Sequence, residues 1–329
     1  METSRRSFVG LTAGAVALAG GVQAAAAATI DPLKNRARFW IAALSPIDSK
    51  GNFDTGANDA CLAYWKSQGA DGVLLLGTTG EGQAFSVAER KKALEAAAKN
   101  KHGLDFIVGT GAANINDTIE LSKHAADHGA DTVLIVPPYY DKNPAGAGVV
   151  AYFDQVFAQV KSPIRYYHIP RTTGVPVDAA VFKSLTKYSN FVGVKDSNGD
   201  AAEFETITST LPGLSVMTGT DNLLAASLKH GNGCILASGN VFTKQIAAVF
   251  QAHRAGGDVD AAIKKLTEAQ AAFRATTGVN GGGGAAANKY ALSLLTGMNA
   301  TYVRAPGMPL AEAQKPKLRA AVDQMKSMA

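Results

Sequence analysis

Eight short apolar runs recur along the chain, each separated from the next by a longer and often alanine-rich stretch, and this alternation limits the fold more than any other feature. The runs span residues 39–44, 72–76, 106–109, 132–137, 164–169, 191–195, 214–218 and 234–238. Between them, stretches such as 57–68, 87–99, 116–128, 149–160 and 223–230 carry helical periodicity. The runs are continuously apolar rather than alternating, the pattern of parallel strands covered on both faces. Gly-Ala-Asp-Gly at 69–72 and Gly-Ala-Asp-Thr at 129–132 close helices and launch strands, with glycine suited to the left-handed cap. Eight strand–helix units predict an α/β fold, a closed (β/α)8 barrel of the TIM type. An open doubly wound sheet competes, but no glycine-rich dinucleotide fingerprint follows the first strand.

Beyond the eighth run, residues 242–255, 260–276, 285–295 and 311–328 read as helices, so the barrel carries additional C-terminal helices. The expected organisation is a signal peptide over 1–28, the barrel over 29–256 and a helical extension over 257–329. The glycine-rich stretch 278–284 reads as a connector rather than a phosphate cradle, because no Lys-Ser/Thr pair follows it. With 329 residues, 47% of them hydrophobic, the chain has the apolar material for one large core. Its net charge of +5 is spread without a dense basic stripe, which favours anionic metabolites over nucleic acid. Cys61 and Cys234 sit in apolar surroundings and read as buried free thiols, with a disulfide the alternative for an exported chain.

The first residues have their own logic. Arg5 and Arg6 precede an apolar, small-residue stretch over 11–22 and an alanine run ending near Ala28. A charged start, a short apolar middle and a small-residue end describe a secretory signal and not a spanning helix. Arg5-Arg6 followed by Phe8 resembles a twin-arginine leader, the alternative being a chance pair in an ordinary signal. The expected mature start lies between Ala24 and Asp31, the expected location is periplasmic, and no membrane partner is expected.

In barrels of this type, reactive groups gather at the C-terminal ends of the strands. Those ends carry Gly77-Thr78-Thr79-Gly80-Glu81-Gly82, Pro138-Tyr139-Tyr140, Tyr166-Tyr167-His168, Lys195-Asp196-Ser197, Gly219-Thr220-Asp221 and Ser238-Gly239-Asn240. Lys195 ends an apolar strand; desolvation favours the neutral form of an amine, and a neutral amine attacks ketones. The bland alternative is a lysine that turns outward to reach water. Thr78, Thr79 and Gly80 supply hydroxyls and free N–H groups suited to a carboxylate. Tyr167 ends the neighbouring strand, where a phenol can exchange protons with a substrate on Lys195, or else merely pack. His168 should face the other way and be structural. The six histidines are read as holding no pair at metal-ligand spacing, so no metal site is expected and a metal-dependent aldolase is disfavoured. Asp221 reads equally as a contact for substrate hydroxyls or as a helix cap. Gly219 and Asn240 complete the candidate substrate contacts.

On these motifs the chain resembles the dihydrodipicolinate synthase and N-acetylneuraminate lyase family of class I pyruvate-dependent aldolases. The resemblance runs from Ala43-Leu44-Ser45-Pro46 to the last helices, through Gly77 to Glu81, Pro138-Tyr139-Tyr140, Tyr167-x-Ile169-Pro170, Gly193-Val194-Lys195 and Gly219-x-Asp221. It implies that Lys195 forms the Schiff base, that Tyr167 is the acid/base, and that Thr78 and Thr79 bind the pyruvate carboxylate. It implies further that Tyr140 enters a neighbouring subunit's site as part of a relay with Thr78 and Tyr167, in a homotetramer built as a dimer of dimers. No cofactor is implied; the partners are a 2-oxo acid and an aldehyde. Two departures bear on substrate. Synthases carry an arginine where this chain has Thr172, with Arg171 one place earlier, which disfavours dihydrodipicolinate synthesis. Asn222 and Ala237 stand where sialic acid lyases carry sugar contacts. The reading is an exported 2-oxo acid aldolase or lyase on a sugar-acid-type substrate. The alternatives are a dehydratase on a sugar-derived 2-oxo acid and an exported, non-catalytic 2-oxo acid binding protein.

Overall fold

The computed structural model describes residues 37–278 and 284–327. The expected leader over 1–28, the middle of the glycine-rich connector and the last residue of the expected final helix lie outside the described residues.

Strands β1 (Phe39–Ala42), β2 (Gly72–Leu75), β3 (Asp105–Gly109), β4 (Thr132–Ile135), β5 (Ile164–His168), β6 (Phe191–Asp196), β7 (Ser215–Thr218) and β8 (Cys234–Leu236) pair in chain order, and β8 returns to β1 to close the barrel. Every pairing is parallel. Around them run α1 (Thr55–Ser67), α2 (Val87–Ala98), α3 (Ile115–Asp127), α4 (Gly146–Gln159), α6 (Ala179–Leu185), α7 (Ala201–Thr210), α8 (Leu224–Lys229) and α9 (Thr243–Arg254), with the single turn α5 (Pro170–Thr173) in the loop after β5. Three further helices, α10 (Val259–Thr277), α11 (Ala285–Thr296) and α12 (Lys315–Ser327), form the C-terminal layer; α10 packs on α9 and α12, and α11 on α12. The expected (β/α)8 barrel with extra C-terminal helices is therefore the observed fold.

Side chains along each strand alternate between two cores. Trp40, Leu74, Ile107, Leu134, Met217 and Ile235 point into the barrel, where Tyr167 joins them. Their neighbours, such as Ile41, Val73, Phe106, Ile135 and Val216, face outward into the larger core shared with the helices. At about 1.5–3 kcal/mol for each large apolar side chain buried, the outer shell holds the barrel together and the interior can hold polar groups near its mouth.

The two Gly-Ala-Asp motifs behave alike. Gly69 and Gly129 adopt φ of +96° and +89°. Two residues later, Asp71 Oδ2 accepts the Phe39 N–H at 2.8 Å and Asp131 Oδ2 accepts the Phe106 N–H at 2.7 Å. Each aspartate thus satisfies a donor at the start of the preceding strand, where an unmet buried donor costs about 1–3 kcal/mol. Helix starts are capped by Asp54, Asn114, Asp178, Asp200 and Asp258, and by a Ser86–Glu89 capping box, each contributing about 1 kcal/mol.

Strand β6 breaks the regular pattern. Ile164 pairs with Phe191, yet the next residue, Arg165, pairs with Gly193, so Val192 is an extra residue in the ladder. This bulge needs its glycine. Gly193 has φ +137°, and a Cβ there would lie 1.9 Å from the Ser215 carbonyl oxygen. Arg165, buried inside the barrel, donates through Nη1 to that same oxygen at 2.7 Å. The bulge reverses the alternation: Phe191 and Val194 both face the outer core although they are three residues apart. Without it, Lys195 would share the outward side with Phe191.

Cys61 and Cys234 are buried and free, so the disulfide alternative is not realised. Among the described residues, no helix is long and apolar enough to cross a membrane. The reading of the histidines is corrected. His124 and His128 stand four residues apart, on α3 and at its C-cap, with their rings stacked at 3.9 Å, and Glu95 of α2 lies beside them. The i,i+4 spacing was present in the sequence; the carboxylate that joins the pair comes from another helix.

Candidate active site

With its parity set by the bulge, Lys195 points into the barrel at the end of β6, directly across from Tyr167 at the end of β5. Both are buried, and Lys195 Nζ stands 4.2 Å from the centroid of the Tyr167 ring. Burial works against ionising the Tyr167 phenol. The Lys195 ammonium, together with hydrogen bonding from Ser197, Thr78 and Lys195, outweighs it and holds the phenol below its ordinary value. A tyrosine poised in this way can take up and return a proton. Ser197 Oγ is otherwise buried without a well-aligned partner of its own. It is the contact that sequence reasoning missed, because a serine two residues past a strand-end lysine carries no motif.

The loop with Thr78 and Thr79 is folded tightly onto the strand ends. Leu76 and Glu81, which flank it, both adopt left-handed φ, +55° and +54°. Non-glycine residues in this region persist only where the surroundings hold them. Here Ser45 Oγ donates to the Gly80 carbonyl at 2.6 Å, and Gly80 itself is buried against Ala43 and Ser45. The Glu81 carboxylate meets the Lys289 ammonium at 2.5 Å and accepts the Arg304 N–H at 2.9 Å. Arg304 in turn holds Glu89, whose carboxyl is pushed down to about 2, chiefly by that hydrogen bond. The C-terminal layer therefore clamps the threonine loop.

Gly219 abuts the lysine directly: a Cβ there would lie 3.0 Å from Lys195 Cε and 1.9 Å from Ser197 Oγ. Asp221 does not cap a helix with its side chain; its Oδ1 accepts Ser238 Oγ at 2.5 Å and Gln270 Nε2 at 2.8 Å. Asn240 stands apart from the others. Fully buried, it accepts the Leu44 N–H and donates to the carbonyls of Ala42 and Ala237, so its amide braces the backbone rather than facing a substrate. Tyr140 is 80% exposed and stands apart from the buried Lys195–Tyr167 pair, whereas Tyr139 donates to Gln83 at 2.8 Å. His168 faces outward, as expected, with Nε2 2.8 Å from Glu203 Oε1. Arg171, on α5, brings Nη2 within 3.9 Å of the point where a Gly199 Cβ would sit, and Thr220 and Asn222 surround the same point. These residues form a polar rim beyond Lys195.

Known proteins share this architecture. The Dihydrodipicolinate synthetase family model matches residues 35–325. A DapA-like lyase of Chloroflexus aurantiacus, itself uncharacterized, is 38% identical over 269 residues, covering 80% of this chain and 88% of the relative. The 4-hydroxy-tetrahydrodipicolinate synthase of Agrobacterium fabrum is 33% identical over 293 residues, with 86% and 94% covered. YagE of Escherichia coli K12, provisionally named a 2-dehydro-3-deoxy-D-gluconate aldolase, is 31% identical over 287 residues, with 84% and 92% covered. The crystal structure of YagE in complex with pyruvate superposes with a TM-score of 0.79, covering 88% of this chain and 98% of YagE. A closed barrel, a lysine and a tyrosine paired across adjacent strands and a family match over nearly the whole described chain lead to one conclusion: the chain belongs to the dihydrodipicolinate synthetase family.

Proposed function

We propose that the protein is a class I, Schiff-base-forming aldolase or lyase that makes or breaks a carbon–carbon bond to pyruvate. The observation that carries this reading is the contact of Lys195 Nζ with the Tyr167 ring at 4.2 Å, with Thr78 and Ser197 on the same phenol. The pyruvate complex of YagE supports the same substrate.

In the cleavage direction, the neutral Lys195 amine adds to the C2 carbonyl of a 2-oxo acid, and water leaves as the imine forms. Thr78, Thr79 and the N–H groups of their loop hold the carboxylate. The Tyr167 phenolate takes the proton of the C4 hydroxyl, and the C3–C4 bond breaks. Its electron pair flows into the protonated imine, leaving the enamine of pyruvate and releasing an aldehyde. Protonation at C3 and addition of water return pyruvate and the free amine.

The aldehyde half is assigned to a sugar-derived, hydroxylated fragment. Arg171, Thr220 and Asn222 supply a polar rim for it, and the name given to YagE supports a sugar-acid substrate. Thr172 in the place of the synthase arginine disfavours dihydrodipicolinate synthesis. Dehydration of a sugar-derived 2-oxo acid passes through the same imine. A homotetramer in which exposed Tyr140 reaches a neighbouring site, and export directed by Arg5-Arg6, belong to the same proposal; sizing by light scattering and N-terminal sequencing of the secreted protein test them.

The function is tested by intact mass after borohydride reduction with pyruvate. A pyruvate-sized adduct in the natural chain and none in Lys195→Ala is expected. Failure of the natural, folded chain to form an adduct with pyruvate or any other 2-oxo acid would replace the aldolase reading with the non-catalytic binder.

A further inference from the structure

The outer wall between α2 and α3 carries a second group of chemistry-bearing side chains. Glu95, His124 and His128 each present one ligand atom, and these three atoms lie within 4.8 Å of one another. Helical periodicity places both histidines on one face at the C-terminal end of α3, away from the strand ends that hold Lys195. Glu95 Oε1, from α2, is 3.2 Å from His124 Nε2. Around a tetrahedral metal with bonds of about 2.0–2.1 Å, ligand atoms stand about 3.3 Å apart, so this pair is already at chelating distance.

Hydrogen bonding has also selected the tautomers. His128 Nδ1 lies 2.8 Å from the His124 carbonyl oxygen, which can only accept. Nδ1 therefore carries the proton, and in the neutral ring Nε2 keeps its lone pair. His124 Nε2 is buried and lacks a well-aligned hydrogen-bond partner, while the backbone of Lys91 bonds to the same ring. That bond falls to Nδ1, and Nε2 is left facing Glu95. Metal-bound histidines are fixed in this manner, one ring nitrogen on the metal and the other donating to a backbone carbonyl or carboxylate.

A simple ion pair between His124 and Glu95 is the competing account. It requires a proton on Nε2 aimed at the carboxylate, and that atom lacks a well-aligned hydrogen-bond partner although Glu95 Oε1 is 3.2 Å away. The nearby cation, Lys91, is drawn to Glu120.

We propose that Glu95, His124 and His128 bind a divalent transition-metal ion of the zinc type, with water completing the coordination. Two imidazoles and one carboxylate suit zinc, nickel or copper and do not suit magnesium or calcium, which take oxygen ligands. The ion would clasp α2 to α3.

Tag-free, chelator-treated protein is titrated calorimetrically with zinc sulfate, beside His128→Ala and Glu95→Gln. One zinc per protomer is expected in the natural chain, with affinity about tenfold weaker or worse in each variant, as for loss of a ligand or its support. Zinc should raise the melting temperature of the natural chain and raise that of His128→Ala less at the same zinc concentration. Glu95 and His128 are exposed, so both variants are expected to fold, and zinc-free melts check this. Absence of zinc binding by the natural chain, or undiminished binding by both variants, overturns the assignment.

Discussion

The ammonium of Lys289, on α11, meets the carboxylate of Glu81, in the threonine loop, with the lysine side chain fully buried and the glutamate nearly so. Lys289 also donates to the Tyr302 carbonyl at 2.6 Å. Two distant stretches of chain are thus joined beside the site. Lys289→Met would leave Glu81 buried and unpaired, an arrangement that costs about 3–5 kcal/mol. The double variant Lys289→Met/Glu81→Gln removes both charges and should recover part of that loss. Urea denaturation of the three proteins reads the effect; a Lys289→Met change below about 0.5 kcal/mol would show that the clamp does not stabilise the fold. The rate of pyruvate-adduct formation should fall in the single variant at temperatures where it remains folded.

Gly219 offers a sharper probe, because it touches the lysine from just beyond the end of β7. Gly219→Ala places a methyl 3.0 Å from Lys195 Cε and onto Ser197 Oγ. Overpacking of this kind costs about 1–3 kcal/mol in stability. Displacing a reacting group by about an ångström can slow chemistry about a hundredfold. Imine formation with pyruvate, followed by borohydride trapping, should therefore slow far more than the folding loss explains. Unchanged trapping kinetics would show that Lys195 reacts from a different rotamer.

The Tyr167 phenol is held below its usual value against the effect of burial, with the Lys195 ammonium the largest opposing influence. Lys195→Met removes that cation and leaves burial dominant, so the phenol should ionise at higher pH than in the natural chain. Ultraviolet difference titration against Tyr167→Phe in each background isolates this one tyrosine. An upward shift is expected, and an unchanged or lower value would mean that Lys195 does not tune it.

Much of this was legible in the sequence. Eight apolar runs separated by helical stretches define a parallel barrel, and Lys195, Tyr167 and Thr78 fall at strand ends as such a barrel requires. What escaped was nonlocal. Residues 191 to 195 read as a smooth strand, since no local pattern announces that Val192 is unpaired; the reason lies in Ser215, on another strand. Asn240 looked available because its bonding partners, Leu44 and Ala42, lie almost two hundred positions away. Lys289 and Arg304 sit in a C-terminal layer whose sequence shows only amphipathic helices and a loop. The His124–His128 spacing is readable in the sequence; Glu95 is not, since it meets them only through the packing of α2 on α3.

The unpaired Val192 also bears on how this barrel can be altered. A deletion of that residue would keep the same amino acids in nearly the same order and lengthen no loop. It would also keep every side, because Arg165 already pairs with Gly193; pairing Val192 as an ordinary residue is what would turn Val194 toward the mouth and Lys195 toward the helices. The bulge lets one strand keep Phe191 and Val194 on the outer shell while Lys195 faces the reaction chamber. Segment exchange between relatives is expected to preserve function only when a junction that carries Val192 carries Gly193 with it, since the glycine lets the extra residue bulge.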